Sequence, residues 1–282
     1  MATVLPDGHP HAWEVQHAHL HLPGAFTKRH IATGGQLVVT PQMRDLAQGM
    51  PSALERGAAI AVSGPYGAGK TTVLAAVAAV ADVNTAIVNL PRRATERTQW
   101  EEIATAVTGT RPTGTARAMQ NHTRDYLTAV PTLLVIDEAQ YLGQAALLTL
   151  RWLWAHPFPT FAIVLAGSNL FDHLKAEPSV DTRIDRRISL RHHTTDTMLN
   201  LLTAHHPHAA ATDPTLLAAI DREYAHGSWR KWSKLLLTLT NDWGITGPIT
   251  IADASEAILA IDGITPNLDP TPRTRTPAKA RR

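Results

Sequence analysis

Apolar positions along the chain follow two regimes. Between about residue 58 and residue 190, short unbroken apolar runs alternate with longer stretches of helical period; beyond Thr194 only the helical period continues. The runs are Ala58–Val62, Thr85–Leu90, Pro131–Ile136, Phe161–Ala166 and a short one closing the segment Asp181–Leu190. Runs of this length suit strands buried on both faces, as in a parallel sheet covered by helices. Between them lie helical patterns at 72–80, 96–108, 116–129 and 144–155, with a loop over Gly109–Gly114. One more precedes the first strand, Pro41–Arg56, with Met43, Leu46, Ala47, Met50 and Leu54 along its inner side. Thr40 and Pro41 give it a start signal, a capping hydroxyl followed by a residue pre-set for the first helical turn. Leu37–Val39 is a short strand-like piece ahead of that helix. The expected fold is therefore α/β, a five-stranded parallel sheet followed by a small all-helical unit. In that unit helices are expected near 195–206, 214–225, 228–242 and 250–261, broken at Pro207, Asp213-Pro214, Gly227 and Gly244–Pro248, with Ser228 as an N-cap. The segments are 1–36, an extended arm; 37–192, the sheet-bearing core; 193–263, the helical unit; and 264–282, a basic Pro/Thr/Arg tail.

The chemistry is concentrated between the first strand and the helix behind it. Gly64-Pro65-Tyr66-Gly67-Ala68-Gly69-Lys70-Thr71 fits G-x-x-x-x-G-K-[ST] at every fixed position. A loop between a strand and a helix N-terminus aims successive backbone N–H groups and the positive end of the helix dipole at one point. The three glycines let backbone approach phosphate oxygens that a side chain would block. Lys70 is placed for the β- and γ-phosphates of ATP and the Thr71 hydroxyl for Mg²⁺. The loop residues, with Thr72 behind them, form the candidate nucleotide-binding set.

About 65 residues further on, the third apolar run ends in Asp137-Glu138. Two acids at the C-terminal edge of a buried strand stand where parallel sheets bind ligands. Asp137 is the candidate Mg²⁺ residue, and Glu138 the candidate base that polarises the attacking water. The fourth run ends in Gly167-Ser168-Asn169; if that strand neighbours the phosphate-loop strand, Asn169 lies beside the γ-phosphate as a sensor of ATP against ADP. Within Asp181–Leu190, Arg183 is the first candidate for an arginine supplied to a neighbouring subunit's site, with Arg186 and Arg187 as alternates. Surface ion pairs with Asp181 and Asp185 are the competing explanation. Arg230, near the start of a helix in the second unit, is a candidate nucleotide contact. Arg92, Arg93 and Arg97 follow the second strand, either as a solvated turn or as a DNA-facing surface. Trp152 and Trp154 are expected in packing rather than base stacking.

Composition bounds these readings without redirecting them. With 282 residues, 44% apolar and 18% charged, the chain can bury a sizeable core. The absence of cysteine excludes disulfides and thiolate metal sites. No signal pattern and no membrane-length apolar run is present, so a soluble cytoplasmic protein is expected, without a membrane partner. A net charge of +2 does not imply a strongly basic body, whereas the last ten residues carry five Arg or Lys. Such a tail is most simply disordered, or grips phosphates or a partner. In the arm, His17, His19 and His21 alternate, but no carboxylate or cysteine lies close in sequence to complete a metal site, which favours a polar arm.

A phosphate loop, an Asp-Glu strand, a polar strand end, an arginine segment and a helical lid together resemble the AAA+ ATPases. Val135-Ile-Asp-Glu-Ala-Gln140, Ala166-Gly-Ser-Asn-Leu170, Thr182-Arg-Ile184 and Gly227-Ser-Trp-Arg230 look like the transposition-regulator group, the Mu B, TnsC and TniB kind. The resemblance spans roughly residues 37–262. It implies an AAA+ core with a helical lid, Mg²⁺-dependent ATP hydrolysis, a ring or helical filament of this chain on double-stranded DNA, and recruitment of a transposase. A helicase-loader ATPase shares the same core, but would need a helicase-docking region that residues 1–36 do not show. A signalling or immunity NTPase acting on a protein partner would need an effector domain for which this chain has little room.

Overall fold

The structure is a computed structural model and describes residues 40–81, 83–154 and 160–269. The arm with its histidines, the Leu37–Val39 piece and the arginine-rich end of the tail lie outside the described residues. Two compact units meet in sequence at Arg191 and His192.

In the first unit the elements are α1 (Pro41–Arg56), β1 (Ala59–Ser63), α2 (Lys70–Val80), β2 (Asn84–Asn89), α3 (Glu96–Thr108), α4 (Ala116–Ala129), β3 (Thr132–Asp137), α5 (Gln144–Trp154), β4 (Phe161–Gly167), the short α6 (Leu170–Lys175) and α7 (Pro178–Asp181), and β5 (Arg186–Ser189). The five strands form one parallel sheet in the order β2-β3-β4-β1-β5. Both faces are covered, which explains the unbroken apolar runs. Leu134, Ile136, Ile163 and Leu165 face a core with Trp100 and Ile103 of α3, Leu127 of α4 and Leu147 and Leu150 of α5. Their strand neighbours Leu133, Val135 and Val164 face Met43, Leu46 and Met50 of α1 and Val73 and Leu74 of α2. Thr40 accepts a 3.2 Å bond from the Met43 N–H, so the expected cap forms. Trp154 is buried; Trp152 is half-buried under the guanidinium groups of Arg117 and Arg124, at 4.8 and 4.5 Å from its ring. α6 and α7 are too short to carry a periodic pattern and are not evident from the sequence.

The second unit is all-helical: α8 (Thr195–His205), α9 (Pro207–Ala211), α10 (Pro214–Ile220), α11 (Trp229–Leu237) and α12 (Ile251–Asp262). Three details depart from the expectation. The expected break at Pro207 is present, since α8 ends at His205, but Pro207 also begins the additional short α9, because the first helical position needs no N–H donor. The turns that continue α10 and α11, Asp221–Ala225 and Thr238–Asp242, widen to π geometry, with His226 N–H bonding to Asp221 O and Trp243 N–H to Thr238 O. Ser228 occupies the N-cap of α11, yet its side chain makes no capping bond.

The unit is pinned by Asp221, a carboxylate only 1% exposed. One oxygen accepts from Gly227 N–H at 2.9 Å and Trp232 Nε1 at 2.8 Å, the other from Thr195 Oγ1 at 2.7 Å. Burying a charge is tolerable only when it is hydrogen-bonded this fully. Gly227 has φ +72°, and a Cβ there would sit 1.9 Å from the His193 carbonyl oxygen. Gly227→Ala is expected to lower the stability of this unit by about 3 kcal/mol, combining left-handed strain with a backbone clash. Thermal unfolding checks it; an unchanged melting temperature would mean that the two backbone segments part without cost.

Candidate nucleotide site

The strand order puts the chemistry in one place. β4 lies between β1 and β3, so the C-terminal ends of all three strands converge, where open parallel sheets collect ligands. β1 pairs with β4, Ser63 opposite Gly167, which meets the condition set for the fourth strand. The phosphate loop leaves β1 with Gly67 and Gly69 at φ +83° and +89°, conformations that favour glycine, and α2 begins at Lys70. Gly64 has a different reason: a Cβ there would sit 2.7 Å from the Leu190 carbonyl oxygen at the end of β5, so this glycine is required by the protein's own backbone.

Lys70 is 6% exposed, and its Nζ donates to Gly64 O at 2.8 Å, Pro65 O at 3.1 Å and Ser168 Oγ at 3.1 Å. Tyr66 lies over it, 5.3 Å from Nζ to ring centre. The ammonium group is thus held in the bend of the loop by two carbonyls and a hydroxyl. Thr71 Oγ1 donates to Asp137 Oδ2 at 2.7 Å, which joins the loop to the end of β3. Asp137 is 3% exposed; burial pushes its carboxyl pKa up, opposed by the bonds from Thr71 and the Glu138 N–H. A desolvated carboxylate beside a hydroxyl oxygen is the all-oxygen pairing that suits Mg²⁺, so Thr71 and Asp137 fit that ion. Pro65, Ala68 and Thr72 lie in the same loop and first turn of α2.

Glu138 follows at φ +56° and Asn169, after β4, at φ +53°. Left-handed backbone at non-glycine residues costs free energy and gathers at functional sites. The Gln140 side chain bridges the two strand ends: its Nε2 donates to Glu138 Oε2 at 2.5 Å, and its Oε1 accepts from Ser168 N–H at 3.1 Å. Asn169 is exposed and caps α6 without a side-chain bond, so the polar side chain that reaches Lys70 from β4 is Ser168. Ser168 and Gln140 stand within motifs quoted from the sequence but are given no role by it, although both are polar and lie within two positions of Asn169 and Glu138.

The arginines separate by environment. Arg187 is paired with Asp181. The Arg186 guanidinium lies against Gly49 of α1, where a Cβ would be 2.2 Å from Nη1. Asp185 is engaged with backbone, accepting from Ala59 N–H at 2.7 Å. Arg183 is exposed; its backbone N–H donates to Val180 O at 2.9 Å, and its guanidinium has no hydrogen-bond or ion-pair partner among the described residues. Arg230, in the second unit, is likewise exposed and unpaired among them. After β2, Arg97 donates to Gly114 O at 2.6 Å, while Arg92 stacks on Tyr141, 5.6 Å from its ring centre. Arg92, Arg93 and Tyr141 line a shallow hollow, and the Tyr141 hydroxyl meets that of Tyr66 at 3.5 Å.

The model of an AAA domain matches residues 54–174, from the end of α1 through α6. No curated protein sequence matches the chain. Among solved structures, it is similar to the Aeropyrum pernix ORC1 protein in complex with DNA, at 20% identity and TM-score 0.65, over 83% of this chain and 69% of that one. It is also similar to Cdc6p from Pyrobaculum aerophilum, at 19% identity and TM-score 0.63, over 77% and 65%. The Thermotoga maritima RuvB Holliday junction branch migration motor matches at 16% and 0.52, over 78% and 68%. The chain spans about two thirds of the length of each. The fold is that of AAA+ proteins, and together with the phosphate loop, the acid-tipped strand and the domain match it defines an ATPase core. Among the described residues no helix is long and apolar enough to cross a membrane, and no three His, Asp or Glu side chains gather as a metal-binding group.

Proposed function

We propose that this protein is an ATP-dependent regulator of transposition that assembles on double-stranded DNA and recruits a transposase to its target. The observation that carries the assembly is Arg183. Its guanidinium is exposed and unpaired among the described residues, whereas Arg187 is ion-paired with Asp181 and the Arg186 guanidinium, though it too makes no hydrogen bond there, is packed against Gly49 of its own subunit. An exposed guanidinium, charged at any working pH, suits insertion beside a neighbouring subunit's γ-phosphate. In the assembled site Lys70 faces the β- and γ-phosphates, Thr71 and Asp137 hold Mg²⁺, Glu138 takes the proton of the attacking water, and Ser168 and Asn169 sense the γ-phosphate. Mg²⁺, when bound, offsets charge on the phosphate oxygens. Arg92 and Arg93, exposed beyond β2, are the DNA-facing residues, with phosphates as their ligands. Likeness in fold to an ORC1 protein solved with DNA supports the DNA half of this reading. The transposase half rests on the motif phrasing described for the sequence.

The test is sedimentation and electron microscopy of the full chain with duplex DNA, in ATP and in ADP. ATP-dependent assemblies on DNA are expected, fewer in ADP. Arg183→Ala is expected to bind ATP normally and to turn over roughly ten- to a hundredfold more slowly, the loss of hydrogen bonds to a charged group. Mixing it with Lys70→Ala should restore part of the activity, since one partner supplies the arginine and the other the phosphate loop. No complementation would assign the role to another arginine; no assembly on duplex would leave an ATPase that acts on a protein partner.

A further inference from the structure

Gln140 lies two residues beyond Glu138 on the turn Ala139–Tyr141, and its carboxamide is used at both ends. Nε2 donates to Glu138 Oε2 at 2.5 Å and Oε1 accepts from the Ser168 N–H at 3.1 Å. Ser168 in turn offers its hydroxyl to Lys70 at 3.1 Å. The backbone is shaped around this side chain: a Cβ on Gly167 would stand 2.0 Å from Gln140 Oε1. Glu138 itself sits in left-handed backbone at φ +56°, where its carboxylate has no other hydrogen-bond partner among the described residues.

We infer that Gln140 is the positioning residue for the water-activating carboxylate, fixing Glu138 against the end of β4 and thereby in register with the lysine of the phosphate loop. This rests on the reading of Glu138 as the base. A carboxylate on a single-residue bend would otherwise sample several rotamers, and a base displaced by about 1 Å loses rate steeply. An amide suits the task because it donates to the acid and accepts from backbone at once; neither Glu nor Leu can do both. The same turn carries Tyr141, with Arg92 stacked upon it, so a phosphodiester bound at Arg92 and Arg93 would bear directly on the residue next to Gln140.

The experiment measures steady-state ATP hydrolysis of the full chain, with kcat and KM resolved, for Gln140→Ala, Gly167→Ala, the double variant and Glu138→Gln. Gln140→Ala is expected to lower kcat about tenfold with KM within about twofold of the parent, since only alignment is lost. Gly167→Ala should give a similar kcat loss by displacing the amide, and the double variant should be no worse than Gln140→Ala. In the Glu138→Gln background, Gln140→Ala should change nothing further. An unchanged or raised kcat in Gln140→Ala, a loss confined to KM, or full additivity with Glu138→Gln would each overturn the inference. Normal turnover in Glu138→Gln alone would instead remove the base assignment on which it rests.

Discussion

Lys70→Ala lowers ATP affinity by about a thousandfold, the penalty of roughly 3–5 kcal/mol expected when one member of a buried charge pair is removed. Calorimetric titration of the full chain measures it. The ammonium group is 6% exposed and already turned into the bend by Gly64 O, Pro65 O and Ser168 Oγ, so the parent spends little conformational entropy on meeting a phosphate. In the variant the two carbonyls and the hydroxyl face the site with no cation to offset them. The fold should survive, since Thr71–Asp137 and the β1–β4 ladder are untouched. Hence the nucleotide-free melting temperature stays close to the parent's while the rise produced by ATP disappears. Undiminished affinity would place the phosphates elsewhere.

Glu138→Gln lowers turnover by about a thousandfold while leaving ATP affinity nearly unchanged, within the range by which a positioned general base accelerates proton transfer. Single-turnover hydrolysis and equilibrium titration separate the two quantities. Gln is close in shape to Glu, so the β3 end, its left-handed residue and the contact with Gln140 persist, and what is removed is the carboxylate proposed as proton acceptor. If subunits associate in the ATP state, assemblies of this variant on DNA should outlast those of the parent. Rapid hydrolysis would show that another group activates the water.

Both predictions concern residues that local pattern made visible. The phosphate loop is a contiguous motif whose spacing is dictated by one ligand, and Asp137-Glu138 closes an apolar run, so neither needed tertiary information. Helix limits were equally legible where chemistry marks them: Thr40, Thr95 and Thr115 accept from N–H groups of the first turns of α1, α3 and α4, and α3 and α4 span the expected residues. α6, α7 and α9 are not legible in the sequence because four to six residues carry less than two helical turns of pattern. The roles of Ser168 and Gln140 are not local for another reason: what matters about them is a neighbour 98 or 28 residues away in sequence.

Sequence alone determined that the chain is an α/β protein with a nucleotide loop, an acid-tipped buried strand and a helical second unit, because burial period and motif spacing are local properties. Strand order was decided only by the tertiary structure, since every strand here is a similar apolar run and pairing depends on crossovers. So was the reason for Gly64, which is the backbone of β5 and not only the phosphate. The sorting of three arginines within five residues was tertiary too: a guanidinium's surroundings follow from whether a carboxylate, a helix or open solvent lies beside it, and that is a matter of contact rather than composition.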